Sequence, residues 1–274
     1  MLKNVFFTLT ALVALIAFTI YSLSKSSYVH YQGDVLGLFE NTTLNTKKVD
    51  FQQLEKLPTP VKIYFQKVLT DKMEYISYVR IKHGGKFKSS QQSDWVTIEG
   101  EEYFTTTQPG FVWRGKIPMV TAVDKYIDGE GSLSVKMLSA IEVASASGAE
   151  ANQGEFVRWV SEALLYPTAL LPNKIISWEA VDNKSAKLLA KYKGVNVSID
   201  VFFDENNLIS KMITKRYMGE NNLQTWMAEA GEYKKVGDVL VPHKLLATWD
   251  LGDRQHHYVD FDITQIEYNI SKPF

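Results

Sequence analysis

Alternation of hydrophobic and polar residues, repeated in run after run from Tyr75 onward, is the sequence feature that most constrains the fold. Successive side chains of a β-strand point to opposite faces, so a period of two predicts strands with one buried face. Each run closes at Gly, Pro or Asp-Gly, which is typical of antiparallel hairpins. The clearest runs are 110–117, 120–127 and 195–203.

Two stretches have a helical period instead. Thr59 can cap a helix and Pro60 suits its first turn, because a missing N–H costs nothing there. A second helix is predicted over 152–166, where apolar residues recur every three to four positions until Pro167 stops it. We therefore predict a mainly antiparallel α+β fold, in which one strongly curved sheet or half-barrel of about eleven strands wraps two helices.

The N-terminus carries a stretch that a soluble core does not explain. From Asn4 to Ser24 no residue is charged, and apolar residues occupy every side of the helix that this stretch would form. At about 1.5 Å per residue, such a helix would cross the roughly 30 Å hydrocarbon core of a bilayer. We predict an N-terminal transmembrane anchor or signal over residues 1–25, a juxtamembrane linker over 26–54 and a single β-rich domain over 55–274.

A cleaved signal peptide and a buried core helix are the alternatives to a retained anchor. The apolar part, 5–21, exceeds the roughly 7–15 residues of a signal peptide, although the Ser-Leu-Ser sequence at 22–24 resembles a weak cleavage site. Lys3 and the α-amino group precede the stretch and Lys25 follows it, which favours a cytoplasmic N-terminus. The expected location is the bacterial cytoplasmic membrane, crossed once, with the domain outside the cytoplasm.

Composition and motifs exclude several classes of function. The 30 Lys and Arg against 31 Asp and Glu provide no basic field for nucleic acid. The absence of cysteine excludes disulfides, thiolate metal sites and thiol nucleophiles. The histidines lack metal-site spacing, and no Gly-x-Ser-x-Gly, Walker-type or dinucleotide fingerprint occurs. We predict no cofactor, no metal site and no catalytic residue.

A series of short motifs runs through the chain in a recognisable order. They are Leu57-Pro58-Thr59-Pro60-Val61, His83-Gly84-Gly85-Lys86-Phe87, Pro109-Gly110-Phe111-Val112-Trp113, Asp124-x-Tyr126-x-x-Gly129-x-Gly131, and the segment from Arg158-Trp159-x-x-Glu162-Ala163 through Tyr166-Pro167 to Pro172. Over about residues 55–270 the chain resembles a bacterial family of uncharacterised, membrane-anchored β-rich proteins, a domain of unknown function. The resemblance implies the fold and the domain limits, and it implies no reaction.

The predicted helix over 152–166 carries the charged candidates for a binding site. Glu155, Arg158 and Glu162 are spaced so that the arginine can reach both carboxylates. A carboxylate held by an arginine beside Trp159 and Tyr166 would bind a polar head group or act as a base. The same spacing also suits an ion-pair ladder on an exposed helix surface.

Aromatic residues of the run 110–117 complete the candidate site. Phe111 and Trp113 share one face of the strand, while Arg114 points to the other. Residues of this kind pack in a core or form the wall of a cavity for an apolar ligand. The candidate ligand-binding residues are therefore Phe111, Trp113, Arg158, Trp159, Glu162 and Tyr166.

Three functions are compatible with these features. The first is a membrane-tethered domain that binds an apolar or lipid-like ligand on the concave side of its sheet. The second is an enzyme in which Glu162 or Asp124 is the base and Arg158 or Arg114 holds an anion. The third is a scaffold or partner-binding domain with a packed interior and no cavity. We favour the first, because many antiparallel strands, a rich aromatic complement, two helices and an anchor occur together, and strand arrangements of this kind tend to enclose apolar cavities.

Overall fold

The computed structural model describes residues 2–274, with side chains described from Thr10 onward. Met1 and the side chains of residues 2–9, which include the start of the predicted anchor, lie outside the described part. The described chain forms three α-helices, α1 Leu2–Glu40, α2 Thr59–Val68 and α3 Ala149–Glu162. Short 3-10 turns lie at Phe51–Lys56, Ala163–Leu165 and Pro167–Leu170.

Strands make up most of the rest of the described chain. The first seven are β1 Tyr78–Phe87, β2 Val96–Thr97, β3 Glu99–Thr105, β4 Gly110–Ile117, β5 Val120–Ile127, β6 Glu130–Met137 and β7 Ile141–Ser147. The others follow α3 and are β8 Ile176–Ala180, β9 Ser185–Tyr192, β10 Val195–Phe203, β11 Ile209–Gly219, β12 Asn222–Gly231, β13 Lys234–Val236, β14 Val239–Val241, β15 Lys244–Asp250 and β16 Gln255–Tyr268.

A 14-stranded antiparallel sheet is the framework of the domain. Its order is β7-β6-β5-β4-β3-β1-β16-β15-β12-β11-β10-β9-β8, with β2 beside β1, while β13 and β14 form a separate hairpin. The first and last long strands, β1 and β16, pair with each other and join two halves that are otherwise built from consecutive neighbours. The sheet is strongly curved into a half-barrel, which confirms the predicted fold class; the strands outnumber the predicted eleven.

The concave side of the half-barrel is filled by α2, α3 and the inward side chains of the strands. Tyr64 and Phe65 of α2 and Phe156 and Trp159 of α3 belong to one continuous buried core with residues of both sheet halves. Strand β10 shows why the alternation was informative, because every second residue from Val197 onward is buried and the residues between them are exposed. The two predicted helices therefore occupy the inside of the curve.

The outer, convex side of the sheet carries the C-terminal half of α1. Tyr31, Val35, Leu38 and Phe39 pack there against outward residues of β1, β3 and β4. Residues 26–40 of the predicted linker are thus helical, and their apolar positions recur at helical spacing. The end of the same segment also contributes to the domain, since Val49 lies in the concave core.

Two further local expectations differ from the structure. Gly84 and Gly85, expected to end a strand, lie inside β1, which passes the carbonyl of Asp260 too closely for a Cβ at position 85. The sequence Ala-Ser-Ala-Ser-Gly at 144–148 is typical of a loop of small residues, yet Ile141–Ser147 form the edge strand β7. Small side chains give no burial pattern on an exposed edge, so pairing with β6 decides the conformation.

Candidate functional site

Arg158 of α3 lies at the centre of a buried charged group on the concave side, which we call the Arg158 cluster (Arg158, Glu102, Asp124 and Glu162). Its Nη2 donates to Glu102 Oε1 at 2.8 Å, and its Nη1 donates to Asp124 Oδ2 at 2.8 Å. Its Nε donates to Glu162 Oε1 at 3.0 Å, one turn further along α3. All three donor nitrogens of the guanidinium group are therefore paired with carboxylates.

Strand register explains how distant parts of the sequence meet at this arginine. Glu102 of β3 is directly opposite Trp113 of β4, and Trp113 is directly opposite Asp124 of β5. Directly opposed residues project from the same face of a sheet. The three side chains thus form a row on the concave face, and α3 packs across that side of the sheet with Arg158 facing the row.

Burial dominates the electrostatics of the cluster. Arg158 is 8% exposed and Glu102 is 4% exposed. Loss of solvent raises the pKa of Glu102 well above its ordinary value, although the nearby Arg158 acts to lower it. Loss of solvent likewise raises the pKa of Asp124 against the opposing effect of Arg158. Removal of charges from water thus outweighs the ion pairing for both carboxyl groups.

A second buried pair lies beside the cluster. Glu155, one turn before Arg158 on α3, has its Oε1 3.5 Å from Nη2 of Arg216, whose Nε donates to the Gly154 carbonyl at 2.9 Å. Burial, followed by the charge of Asp124, raises the pKa of Glu155 to about 8. Two guanidinium groups thus face four carboxyl groups in one interior region.

Hydrogen-bond acceptors exceed donors in this region. Among the described residues, Asp124 Oδ1, Glu155 Oε2 and Glu162 Oε2 are buried oxygens with no hydrogen-bond partner. A buried acceptor without a partner costs about 1–3 kcal/mol of stability, and more when the group is charged. The arrangement is therefore suited to a group that donates hydrogen bonds, such as an ammonium or a hydroxyl.

Aromatic rings form the apolar surroundings of the cluster. The Cζ of Arg158 lies 4.9 Å from the ring centroid of Phe111 and 4.8 Å from that of Trp113. Stacking of this kind stabilises a guanidinium group while excluding water from it. Phe104 of β3 contacts Phe111 on the same face, with 5.8 Å between ring centroids. The polar group and the aromatic wall are thus in direct contact.

The six sequence-predicted site residues are only partly brought together. Four of them meet at the guanidinium group of Arg158, which pairs with Glu162 and lies over the rings of Phe111 and Trp113. Trp159 points to the adjacent core, where its indole N–H donates to the Thr105 carbonyl at 3.0 Å. The hydroxyl of Tyr166 donates to the Trp159 carbonyl at 2.8 Å. The polar atoms of these two side chains are therefore engaged with the backbone.

Three expectations about charged residues are corrected by the geometry. The alternative of an exposed ion-pair ladder is wrong, because Arg158 and Glu155 are buried. Glu155 pairs with Arg216 rather than with Arg158. Arg114, considered as an anion holder, lies on the convex side with its Cζ 5.2 Å from the ring centroid of Tyr28 in α1.

Two charged residues of the buried region around Arg158, namely Arg216 and Glu102, were not predicted as site residues from the sequence. Arg216 of β11 has no local signal, since its partner lies on another element. Glu102 does have one: it occupies an inward position of β3 between Gly100 and Phe104, where an apolar residue is expected. A carboxylate at such a position indicates a buried partner.

Two surface grooves lie away from the cluster. One, of about 360 Å³, is lined by the end of α1 and by the β3–β4 and β5–β6 turns. The other, of about 480 Å³, runs beside β8, β9 and β10. Neither groove is lined by a residue of the Arg158 cluster. Within residues 10–274, no group of three or more His, Asp or Glu side chains has a geometry suited to a metal ion.

The fold and the cluster define a class of protein: a curved antiparallel half-barrel with a charged group enclosed between the sheet and a helix. The chain belongs to the family of unknown function DUF6544, whose model matches residues 47–261. No curated protein sequence matches the chain.

Two solved structures are similar to this chain in fold. The crystal structure of the LolA superfamily protein NE2245 from Nitrosomonas europaea aligns with a TM-score of 0.43 and 10% identity, covering 76% of this chain and 91% of that one. The crystal structure of a "putative outer membrane lipoprotein-sorting protein domain" from Vibrio parahaemolyticus aligns with a TM-score of 0.38 and 10% identity, covering 70% of this chain and 86% of that one.

Proposed function

We propose that the protein is a membrane-tethered domain that binds an amphiphilic, lipid-like ligand on the concave side of its sheet. The observation that carries this proposal is the Arg158 cluster, in which surplus acceptors lie against an aromatic wall. The polar end of the ligand donates hydrogen bonds to the carboxylates, and its apolar part contacts the rings of Phe111 and Trp113. An ammonium or hydroxyl head group fits this chemistry.

Charge balance favours a cationic head group. Two guanidinium groups face four carboxyl groups, so full ionisation would leave two negative charges uncompensated, and the raised pKa values of Glu102, Asp124 and Glu155 show that protons compensate this excess in the protein alone. A bound ammonium group would take the place of those protons. An ammonium group supplies a positive charge and several hydrogen-bond donors. An anionic head group would add to the excess and lose its own hydration. The proposed ligand is therefore an amine-bearing amphiphile rather than a fatty acid.

The helix α3 occupies the space that the apolar part of the ligand would take. This helix fills the concave side, so the ligand and α3 compete for the same inner surface. The helix begins after Gly148, whose φ of 93° favours glycine, and it follows the exposed edge strand β7. A small outward shift of α3 about Gly148 admits the apolar chain beside Phe111 and Trp113, while Arg158 and Glu162 stay within reach of the head group and the 14-stranded sheet keeps its pairing.

The tether rests on the exposed half of α1. Thr10–Glu40 is long and apolar enough to cross a membrane, and its most apolar 18-residue window is 0% buried in the protein. The core-helix alternative is therefore not supported, since Leu12, Leu15 and Ile16 are all exposed. Exposed apolar surface on every side of a helix is stable in lipid rather than in water.

The ligand proposal is tested with a long-chain alkylamine brominated at the end of its chain. Bromine quenches nearby tryptophan fluorescence, and α1 carries no tryptophan, so detergent or lipid around the tether gives no signal. We expect saturable quenching of the full-length protein, and none with the brominated carboxylic acid of equal length. Equal quenching by both compounds, or by neither, would overturn the proposal.

A matched pair of variants separates binding at the cluster from adsorption elsewhere. Glu162→Gln removes one charge from the cluster and is expected to weaken amine binding at least tenfold. Glu179→Gln makes the same change at an exposed position of β8 and is expected to leave binding unchanged. Hydrogen exchange of α3 should accelerate on amine binding, and unaltered exchange would contradict displacement of this helix.

A further inference from the structure

The direction of α1 along the sheet determines which end of the half-barrel faces the tether. Asp34 pairs with Lys125, which is opposite Val112 on β4. Six residues earlier, Tyr28 contacts Arg114. The helix therefore runs antiparallel to β4, and its N-terminal, apolar half leads away past the C-terminal end of that strand.

A contact near the ends of the strands fixes the level of α1 relative to the sheet. Lys136 donates from Nζ to the Ser27 hydroxyl at 3.2 Å. Lys136 is opposite Thr121, which is opposite Lys116. Only one more row, Ile117 with Val120 and Met137, separates these residues from the ends of the strands. Those ends lie beside the part of α1 that precedes Ser27.

Two turns project from these strand ends, and we call them the hairpin tips (residues 117–120 and 137–141). Their sequences are Ile-Pro-Met-Val and Met-Leu-Ser-Ala-Ile, without a single charge. Met119 is 65% exposed, Met137 40% and Ile141 46%. Turns on a protein surface are normally polar, so two neighbouring apolar turns mark a contact surface.

We infer that the hairpin tips are a second lipid contact, inserted into the interface of the bilayer that α1 enters. This inference rests on the tether in the proposed function. The tips lie about 7–10 Å beyond the Ser27 row at roughly 3.3 Å per strand residue. That distance corresponds to about five to seven residues of α1. The tips are thus level with residues near Tyr21, inside the uncharged stretch.

Charges around the tips agree with a lipid surface. Lys25, Lys116 and Lys136 lie at the level where the apolar surface ends. Glu142 is the acidic residue next to the tips, and its carboxylate accepts a hydrogen bond from the Ser134 hydroxyl at 2.8 Å. Lysines next to inserted apolar side chains attract anionic head groups. The partner is therefore a bilayer that contains anionic lipid.

Single cysteines test the inference directly, because the natural chain has none. We would place an environment-sensitive dye on Met119→Cys and Ile141→Cys of the full-length protein, with one copy in each nanodisc of phosphatidylcholine and phosphatidylglycerol. Both dyes should emit at shorter wavelength and be quenched by lipids that carry a spin label near the head group. The dye on Glu130→Cys, exposed at the opposite end of β5 and β6, should report water.

A fourth position keeps the two proposals separable. The dye on Leu15→Cys should be quenched by spin labels deep in the acyl chains. A water-like signal at position 15 would refute the tether itself. A lipid-like signal at position 15 with water-like signals at 119 and 141 would overturn this inference alone. A shift at the tips that requires two copies in one nanodisc would also overturn it, since a second copy would then be the partner.

Discussion

The indole N–H of Trp113 donates to Nε2 of His83 at 2.8 Å, and the two ring planes are only 6° from parallel. Acceptance at Nε2 assigns the ring proton to Nδ1, which lies 3.3 Å from the Gly84 carbonyl. Burial lowers the pKa of His83 to about 4. A neutral histidine on β1 therefore holds the tryptophan that lies beneath Arg158, and so links the central strand to the Arg158 cluster.

Gly100→Ala is predicted to disrupt this pair. A Cβ at position 100 would collide with the imidazole of His83, whereas a Cβ at Gly84 would meet only the Ile98 carbonyl at 4.0 Å. We expect Gly100→Ala to lower the free energy of unfolding by about 1–3 kcal/mol, the usual cost of overpacking. Gly84→Ala is the control and should change stability much less. Denaturant titration of both variants checks this, and equal losses would contradict it.

The pH dependence of stability should contain a contribution from Glu155. Its pKa is raised from 4.5 to about 8 in the folded protein by burial. A carboxyl group with a raised folded pKa contributes stability that is fully present below the unfolded pKa and is lost as the pH rises through the folded value. The free energy of unfolding should therefore fall between about pH 4.5 and pH 8 for this reason.

Glu155→Gln should remove that contribution. The variant cannot ionise at this position, so at pH 9 we expect it to be more stable than the natural protein by a few kcal/mol. Unfolding titrations at several pH values measure the difference. The same change at Glu179, which is exposed, should leave the pH profile as it was. A profile that stays equally steep in Glu155→Gln would refute the assignment.

Arg158→Met is predicted to destabilise the protein strongly. The substitution keeps an apolar chain against Phe111 and Trp113 and leaves three carboxyl groups without their cation. Loss of one partner from a buried ionic group costs about 3–5 kcal/mol. Lower pH should recover part of this loss, because protonation neutralises Glu102 and Asp124. Thermal unfolding of the variant at pH 5 and pH 8 gives the test, and a larger loss at pH 5 would disagree with it.

Packing of α1 on the convex side should depend on Val35. This residue is 0% exposed, whereas its neighbour Leu36 is 45% exposed. We expect Val35→Ala to lower the stability of the α1 contact by about 1–3 kcal/mol, since it removes buried methyl groups and leaves a cavity. Leu36→Ala should have little effect. Hydrogen exchange of residues 27–40 in detergent reports the change, and faster exchange in both variants would not fit this account.

Local patterns gave the elements of the fold, because alternation and capping act over a few residues. Gly110–Ile117 and Val120–Ile127 form strands with the expected bounds. The helix α2 was also predicted, but Thr59 is its first residue rather than its cap, because Pro58 occupies the capping position and no side chain of the described residues caps the helix. The alternation could not give the sheet order, in which β1 pairs with β16 across most of the chain. That pairing depends on curvature and on the burial of both faces near β1.

The candidate site was accessible to sequence reasoning only through α3. Arg158 and Glu162 share a helix, so their spacing predicted their contact. Glu102 and Asp124 reach Arg158 because three strands are in register, and register is set by long-range pairing. The position of α1 was missed for the opposite reason. Tyr31, Val35 and Leu38 do follow a helical period, but the polar residues between them resembled a linker.

The unbroken course of α1 from the apolar stretch to the sheet has a mechanical consequence. A helix without a hinge transmits rotation, so a change in tilt at one end turns the half-barrel through the same angle. Transmembrane helices alter their tilt when the thickness of the surrounding lipid changes. With α1 as the proposed tether, a change in its tilt would alter how deeply the hairpin tips insert, and would thereby couple the orientation of the half-barrel to the lipid composition of the membrane.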